Sequence, residues 1–167
     1  MIQIVKDSDT RPCFFLQTAH TTYGIRVMET GHLEHLYYGE RITVDSHDPA
    51  SCAPLVIQRA FAPGNTCTYD REHPQISMED ICLEVGTLGK GDIREPFLEV
   101  RFADGSVTTD FTFDSYEVIT LKEREQCLQD SGLPHSYSEA ETDSAECLQI
   151  VLQDVTNHLE LQLFYTV

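Results

Sequence analysis

The chain has 167 residues, and 28 Asp and Glu residues against 11 Lys and Arg residues give it a formal net charge of −17. This charge repels nucleic-acid phosphates and anionic lipid surfaces, so neither is an expected partner. No apolar run reaches the ~20 residues that cross a bilayer, and the N-terminus lacks the basic-then-apolar layout of a signal peptide, so we expect a cytoplasmic protein.

Alternating hydrophobicity is the dominant pattern in the first part of the chain. Residues 23–28 place Tyr, Ile and Val on one face and Gly, Arg and Met on the other, which predicts a half-buried strand. Residues 45–80 carry four prolines and one glycine and predict a long irregular stretch. Loops of this length are uncommon in compact domains and are often functional.

Two hairpins are predicted in the second part. Residues 98–103 and 107–113 alternate on either side of Asp104-Gly105, turn residues that tolerate positive φ, and this is the strongest hairpin signal in the chain. Residues 148–152 and 159–165 flank a polar stretch and predict another hairpin.

The helical signal is weak, with residues 120–131 the best candidate. Residues 135–146 have no apolar stripe and predict a solvated connection. The fold prediction is therefore all-β, an antiparallel β-sandwich that forms one domain over residues 1–167.

The six cysteines have long, irregular spacings, so we interpret them as reduced residues that pack as small hydrophobes, not as disulfides or metal ligands. His32 and His35 lack a second Cys or His pair at zinc spacing. Strand alternation also places i and i+3 on opposite faces, which favours separate structural roles for the two histidines. We predict no metal and no cofactor.

Catalytic motifs are missing from the sequence. Gly-x-Ser-x-Gly does not occur. The glycine-rich residues 86–91 lack Gly-Lys-Ser/Thr, so they predict a turn around Lys90 instead of a phosphate site. Close carboxylate pairs such as Asp70 and Glu72 are expected by chance among 28 acidic residues and are interpreted as solvated.

Several segments, in order, resemble bacterial α-galactosidases of glycoside hydrolase family 36. Gly31-His-Leu-Glu-His-Leu-Tyr-Tyr-Gly39 is similar to the family's G-x-L-x-H-L-Y-Y-G stretch. Similar segments lie at residues 59–63 (R-A-F-A-P), 91–96 (G-D-I-R-E-P), 109–111 with 114–116 (T-D-F, D-S-Y), 132–134 (G-L-P) and 148–165. The similarity covers nearly the whole chain.

The resemblance implies an enzyme that removes terminal α-galactosyl groups from sugars such as melibiose and raffinose. In that family a β-supersandwich, galactose mutarotase-like, precedes a (β/α)8 barrel that carries two catalytic aspartates. Neither K-W-D nor R-F-D occurs in these 167 residues. We therefore assign no catalytic residue and expect an inactive chain, the first part of a longer N-terminal domain, that serves as scaffold and subunit interface in a homo-oligomer.

The resemblance also implies a site shared between subunits. In tetrameric members a loop between early strands reaches a neighbour's active site and places an Asp just before R-A-F, and an Arg further along, near the sugar. The first position here is Gln58, which can hydrogen-bond a hydroxyl but carries no charge, and Arg71 is the nearest arginine for the second. The alternative is that Arg59 and Arg71 pair with local carboxylates.

Two other function classes stay open, a stand-alone carbohydrate-binding module and an assembly module. Sandwiches often present sugar sites on loops, but the chain has no Trp, a common sugar platform. Alternation places one of Tyr37 and Tyr38 inside, which favours core packing over sugar stacking. A chain that forms only part of a sandwich would also leave a strand edge unpaired and an apolar row uncovered, formed by Leu159, Leu161 and Leu163. We therefore expect self-association or marginal stability.

Overall fold

The computed structural model describes residues 1–6, 11–57, 68–92, 95–132 and 145–167. The strands are β1 (Ile2–Lys6), β2 (Pro12–Gln17), β3 (Thr21–Val27), β4 (Leu33–Glu40), β5 (Thr87–Leu88), β6 (Gly91–Asp92), β7 (Thr112–Thr120), β8 (Glu146–Asp154) and β9 (Leu159–Thr166). The helix α1 spans Leu121–Asp130, and 3-10 turns span Pro49–Leu55 and Met78–Asp80.

The first sheet is an antiparallel meander with the order β1-β2-β3-β4. The predicted strand over residues 23–27 is confirmed in β3. Its register with β4 shifts after Gly24, where a Cβ would lie 3.1 Å from the Phe15 ring. A side chain at this point would press on the ring of the neighbouring strand, which packs close to the Gly24 backbone.

The second sheet has the order β7-β8-β9 and is also antiparallel. The predicted hairpin over residues 148–165 is confirmed in β8 and β9. Its turn is closed by Asp154, whose carboxylate accepts the backbone N–H of Asn157 at 2.9 Å.

The two sheets pack face to face, which confirms the predicted all-β sandwich. The inner faces contribute the largest buried apolar cluster of the described residues, formed by Phe14, Leu16, Ile25, Val27, Leu33, Val85, Phe111, Leu148, Ile150 and Leu152. The Leu159, Leu161 and Leu163 row is partly buried against this cluster. Our expectation of an uncovered row is wrong, since the alternation turns these side chains towards the first sheet.

Cysteines contribute to the smaller clusters. Cys13 and Cys52 are buried with Val5 and Phe15 on the other face of the first sheet, and Cys147 is fully buried beside α1. The prediction that cysteines pack as small hydrophobes is confirmed for these three. Cys82 is exposed and Cys127 is half-buried, while Cys67 lies outside the described residues.

The prediction of a hairpin over residues 98–113 is wrong, because the two flanking segments do not pair as strands. The turn is present, with Gly105 at φ 88° and the Phe102 N–H donated to the Ser106 carbonyl at 2.9 Å. Beyond it, however, regular pairing starts only with β7 at Thr112, and Leu98 makes an isolated bridge to Thr87. The backbone of residues 108–110 is instead bonded to side chains from elsewhere in the fold, described below.

The predicted helix is confirmed in α1. Thr120 and Glu123 form a capping box, with the Thr120 hydroxyl accepting from the Glu123 N–H and the Glu123 carboxylate accepting from the Thr120 N–H. Among the described residues, no helix combines the length and apolar character needed to cross a bilayer. The predicted irregular stretch is confirmed for residues 45–57 and 68–80, which hold the two 3-10 turns and no regular strand.

Candidate functional site

Of the two predicted site residues, the structure describes only Arg71. Gln58 lies outside the described residues, as does Arg59. Arg71 is exposed on a loop that spans residues 68–77, hereafter the Arg71 loop. Lys90 pairs with Asp110 and Arg26 with Glu34, but Arg71 has no ion pair with any described residue. The alternative, in which Arg71 pairs with a local carboxylate, is therefore not found among the described residues.

The Arg71 loop is a closed hairpin. Thr68 bridges to Ser77, and the Tyr69 N–H is donated to the Ile76 carbonyl at 2.9 Å. The Asp70 carboxylate caps the tip because it accepts the backbone N–H groups of Glu72, at 2.8 Å, and His73, at 2.7 Å. Such local bonds satisfy a backbone that has no strand partner. Arg71 therefore lies at the tip of an ordered turn.

Tyr69 anchors the first leg of this loop. Its hydroxyl donates to Asp110 Oδ2 at 3.0 Å, and its ring lies edge-on to the His32 ring at 4.9 Å between centroids. Lys90 Nζ lies 4.6 Å from the centroid of the same ring and 3.3 Å from Asp110 Oδ2. We refer to His32, Tyr69, Lys90 and Asp110 as the Asp110 cluster.

Side chains also fix the backbone beneath this cluster. The Asp110 N–H is donated to Asp154 Oδ2 at 2.9 Å, and the Thr87 hydroxyl donates to the Thr109 carbonyl at 2.9 Å. Asn157 donates its side-chain N–H to the Thr108 carbonyl at 3.2 Å. These bonds replace the ladder that the alternation of residues 107–111 predicts.

The cluster is electrostatically balanced around one carboxylate. Burial raises the pKa of Asp110, but the hydrogen bonds from His32 and Tyr69 and the attraction of His32 and Lys90 outweigh it, so this pKa lies below the usual aspartate value. Burial, together with the charge of Asp110, raises the pKa of Tyr69 to about 12. At neutral pH the tyrosine is thus a hydrogen-bond donor and the aspartate its charged acceptor.

His32 is a structural member of the cluster. Its Nε2 lies 2.8 Å from Asp110 Oδ1, and since a carboxylate only accepts, Nε2 carries the proton and Nδ1 faces the Thr30 hydroxyl at 2.9 Å. The order Thr, His, Asp is that of a nucleophile triad, but Thr30 is 8% exposed and His32 3% exposed. Thr30 and His32 are therefore buried, and their hydrogen bonds hold the Asp110 carboxylate in place.

A second carboxylate lies between the two sheets. Glu84 accepts hydrogen bonds from the hydroxyls of Tyr23 on β3, at 2.7 Å, and Tyr165 on β9, at 2.7 Å. His35 Nδ1 lies 4.0 Å from the same carboxylate. His32 and His35 therefore have separate partners, as predicted. Burial and the nearby Glu84 charge raise the pKa of both tyrosines.

Sequence reasoning missed the part that Asp110 and Tyr69 play. The predicted turn around Lys90 is confirmed, with Gly89 at φ 80°, but the sequence pattern does not predict the contacts of Lys90 with Asp110 and Tyr69. The available signal is the T-D-F segment at residues 109–111, where a charged residue lies directly beside Phe111. Tyr38 is 70% exposed and Tyr37 half-buried, which agrees with one ring on each face. Among the described residues, no group of three or more His, Cys, Asp or Glu side chains is arranged to hold a metal ion.

Comparisons with known proteins agree with one another. The family model "Glycosyl hydrolase family 36 N-terminal domain" matches residues 31–167. The bifunctional alpha-galactosidase/sucrose kinase of Mediterraneibacter gnavus is 34% identical over 155 residues, which cover 92% of this chain and 15% of that protein. An alpha-galactosidase of Geobacillus stearothermophilus is 32% identical, with 92% of this chain and 19% of that protein covered.

Solved structures show the same relationship. The crystal structure of the alpha-galactosidase from Lactobacillus brevis superposes with a TM-score of 0.73 at 28% identity, covering 98% of this chain and 20% of that one. The galactosidase domain of the alpha-galactosidase-sucrose kinase gives a TM-score of 0.73 at 29% identity. The chain spans between 15% and 21% of the length of the curated relatives that it matches.

Proposed function

The chain belongs to the glycosyl hydrolase family 36 N-terminal domain family, and on that premise we propose that it is the non-catalytic first part of an α-galactosidase. The parent polypeptide removes terminal α-galactosyl groups from oligosaccharides of the melibiose and raffinose type. The 167 residues serve as scaffold for a catalytic barrel and as interface between the subunits of a homo-oligomer. They contain neither K-W-D nor R-F-D, so the aspartates that perform the chemistry are supplied by other residues of the parent.

The family match over residues 31–167 is the observation that carries this proposal, and the exposed Arg71 at the tip of an anchored hairpin supports a substrate contact within it. A guanidinium presents five N–H donors, and sugar hydroxyl oxygens can accept hydrogen bonds from them. In our proposal Arg71 reaches an α-galactoside bound in a neighbouring subunit, and Gln58 supplies a neutral amide there. This role binds substrate without any part in bond cleavage.

A reducing compartment fits the state of the thiols. Cys82, Cys127 and Cys147 carry free thiols, and Cys82 is exposed. Free, accessible thiols are typical of cytosolic proteins. The proposal therefore places the enzyme in the cytoplasm, where it acts on imported oligosaccharides.

The test compares the 167-residue chain with the full-length protein that carries it, using p-nitrophenyl α-galactoside and raffinose. We expect turnover by the full-length protein only. Arg71→Ala should raise KM for raffinose about tenfold, the equivalent of one lost charged hydrogen bond, and leave kcat nearly unchanged, because a uniform binding contact is removed. Arg101→Ala is the matched control, since Arg101 is an exposed arginine paired with Glu99 away from the Arg71 loop.

Two results would contradict the proposal. Turnover by the 167-residue chain would place catalysis within it. An unchanged KM in Arg71→Ala would remove the substrate contact. Calorimetric titration of the same chain with raffinose separates the alternative function, since saturable binding would favour a stand-alone carbohydrate-binding module. The exposed ring of Tyr38 is the feature that such a module would use.

A further inference from the structure

The Asp110 cluster gathers residues from connections at one end of the sandwich. His32 comes from the turn between β3 and β4, Lys90 from the turn between β5 and β6, and Asp110 from the segment before β7. Asp154, at the end of β8, holds the Asp110 backbone. The Gly31 carbonyl also accepts the Phe113 N–H at 2.7 Å, which links the β3–β4 turn to the second sheet. This end is therefore held together by both sheets.

Tyr69 connects this fixed end to the Arg71 loop. It lies two residues before Arg71. Its hydroxyl contacts Asp110, its ring face contacts Lys90, and its ring lies at 83° to the His32 ring. The second leg is fixed as well, because Ile76 is 8% exposed and packs with Met28 and Met78. Both legs of the hairpin are held, and only its tip projects.

We propose that Tyr69 is a positioning residue for Arg71: through its hydrogen bond to Asp110 and its packing between His32 and Lys90, it holds the hairpin so that the Arg71 guanidinium meets a bound α-galactoside. The inference rests on the proposed function, since it requires that Arg71 contact substrate. A side chain presented on an ordered base loses less conformational entropy on binding than one on a disordered loop. Tyr69 thus tightens substrate binding without touching the sugar.

The test is a double-mutant cycle in the full-length protein, with raffinose as substrate. Tyr69→Phe removes the hydroxyl and keeps the ring contacts, so we expect KM to rise about threefold with kcat retained. In the Arg71→Ala background the same change should add no further rise, because Tyr69 acts through Arg71. Tyr37→Phe is the control, since it also deletes a hydroxyl, one that donates to the Glu40 carbonyl at 2.9 Å far from the loop.

A direct measure of loop order accompanies the kinetics. Trypsin cleaves after Arg71, and the initial rate of that cleavage, followed by mass spectrometry, should rise in Tyr69→Phe and stay at the wild-type value in Tyr37→Phe. Additive KM effects of Tyr69→Phe and Arg71→Ala, or an unchanged cleavage rate, would overturn the positioning role. If Arg71→Ala itself leaves KM unchanged, the proposed function fails instead, so the two failures are distinguishable.

Discussion

At the scale of single residues, Asp110 has more roles than its place in a strand-like pattern indicates. Its carboxylate accepts from His32, Tyr69 and Lys90, and its backbone N–H is donated to Asp154. Hydrogen bonds to a charged acceptor are stronger than neutral ones, and a donor that loses its acceptor in a partly buried site is costly. One aspartate thereby joins four segments of the chain.

We expect Asp110→Asn to lower the free energy of unfolding by about 2 kcal/mol at pH 7, measured by urea titration. Because folding lowers the pKa of Asp110, its contribution is present above the pKa of an unfolded aspartate, about 3.9, and is lost as the pH falls through the lower, folded value. The difference between wild type and variant should therefore shrink below pH 4.

Glu117→Gln is the control for this measurement, since it removes one negative charge from an exposed position on β7. It corrects for the relief of self-repulsion in a chain with a net charge of −17. An equal loss of stability at pH 7 and at pH 3 in Asp110→Asn would contradict the electrostatic explanation.

At the scale of elements, a connecting segment pairs with the edge of the first sheet and links that sheet to the second. The segment after the second 3-10 turn runs along β4, where the Glu84 N–H is donated to the Leu33 carbonyl at 2.9 Å and the His35 N–H to the Cys82 carbonyl at 2.8 Å. This pairing covers part of the β4 edge and carries Glu84 to the space between the sheets. There its carboxylate joins β3 to β9 through Tyr23 and Tyr165.

We expect Glu84→Ala to destabilise the chain by about 2 kcal/mol, because two half-buried tyrosine hydroxyls lose a charged acceptor. The free energy of unfolding from urea titration is the measurement. Glu99→Ala, which removes an exposed carboxylate whose partner is Arg101, should cost less than about 1 kcal/mol. A cost for Glu84→Ala no greater than that of Glu99→Ala would show that Glu84 does not tie the sheets together.

Local sequence patterns predicted the elements that local forces determine. The alternation in β3, the hairpin of β8 and β9, and helix α1 all depend on neighbouring residues, and each is confirmed. The hairpin over residues 98–113 failed because Thr87, Asp154 and Asn157, distant in sequence, take the hydrogen-bonding groups of residues 108–110. Alternation records which face is apolar, and it holds no information about such distant competitors.

The candidate site was only partly predictable for the same reason. Arg71 and Gln58 come from a resemblance, and the substrate contact of each stays a prediction; Arg71 is exposed, and Gln58 lies outside the described residues. The Asp110 cluster joins residues separated by as many as 78 positions, as between His32 and Asp110. A single sequence gives no means to pair residues that far apart.

At the scale of the whole molecule, an open sheet edge and a high net charge have opposite effects on self-association. Among the described residues β9 pairs only with β8, and its apolar row is half-buried. Unpaired strand edges favour association, whereas a net charge of −17 keeps copies apart. Which of the two effects prevails depends on ionic strength, because salt screens the repulsion between copies of the chain but not the pairing of their strand edges.

We expect the 167-residue chain to sediment as species larger than its 18.9 kDa monomer mass, with the larger fraction increasing from about 0.05 M to about 0.5 M salt. Sedimentation velocity at several protein concentrations measures this. A single monomeric species at every salt and protein concentration, together with high thermal stability, would contradict the expectation.

The closed base of the Arg71 loop separates sequence changes that the two sheets tolerate from sequence changes that would disturb them. The bridge between Thr68 and Ser77 and the anchored Tyr69 fix where the hairpin leaves the sandwich, and no strand of either sheet takes its register from residues 70–75. The tip can therefore change in length or in charge without shifting the register of any strand pair in the two sheets. Changes at the tip would then leave both sheets intact, whereas changes to Tyr69 or Asp110 beneath it would disturb the contacts that hold this end of the sandwich together.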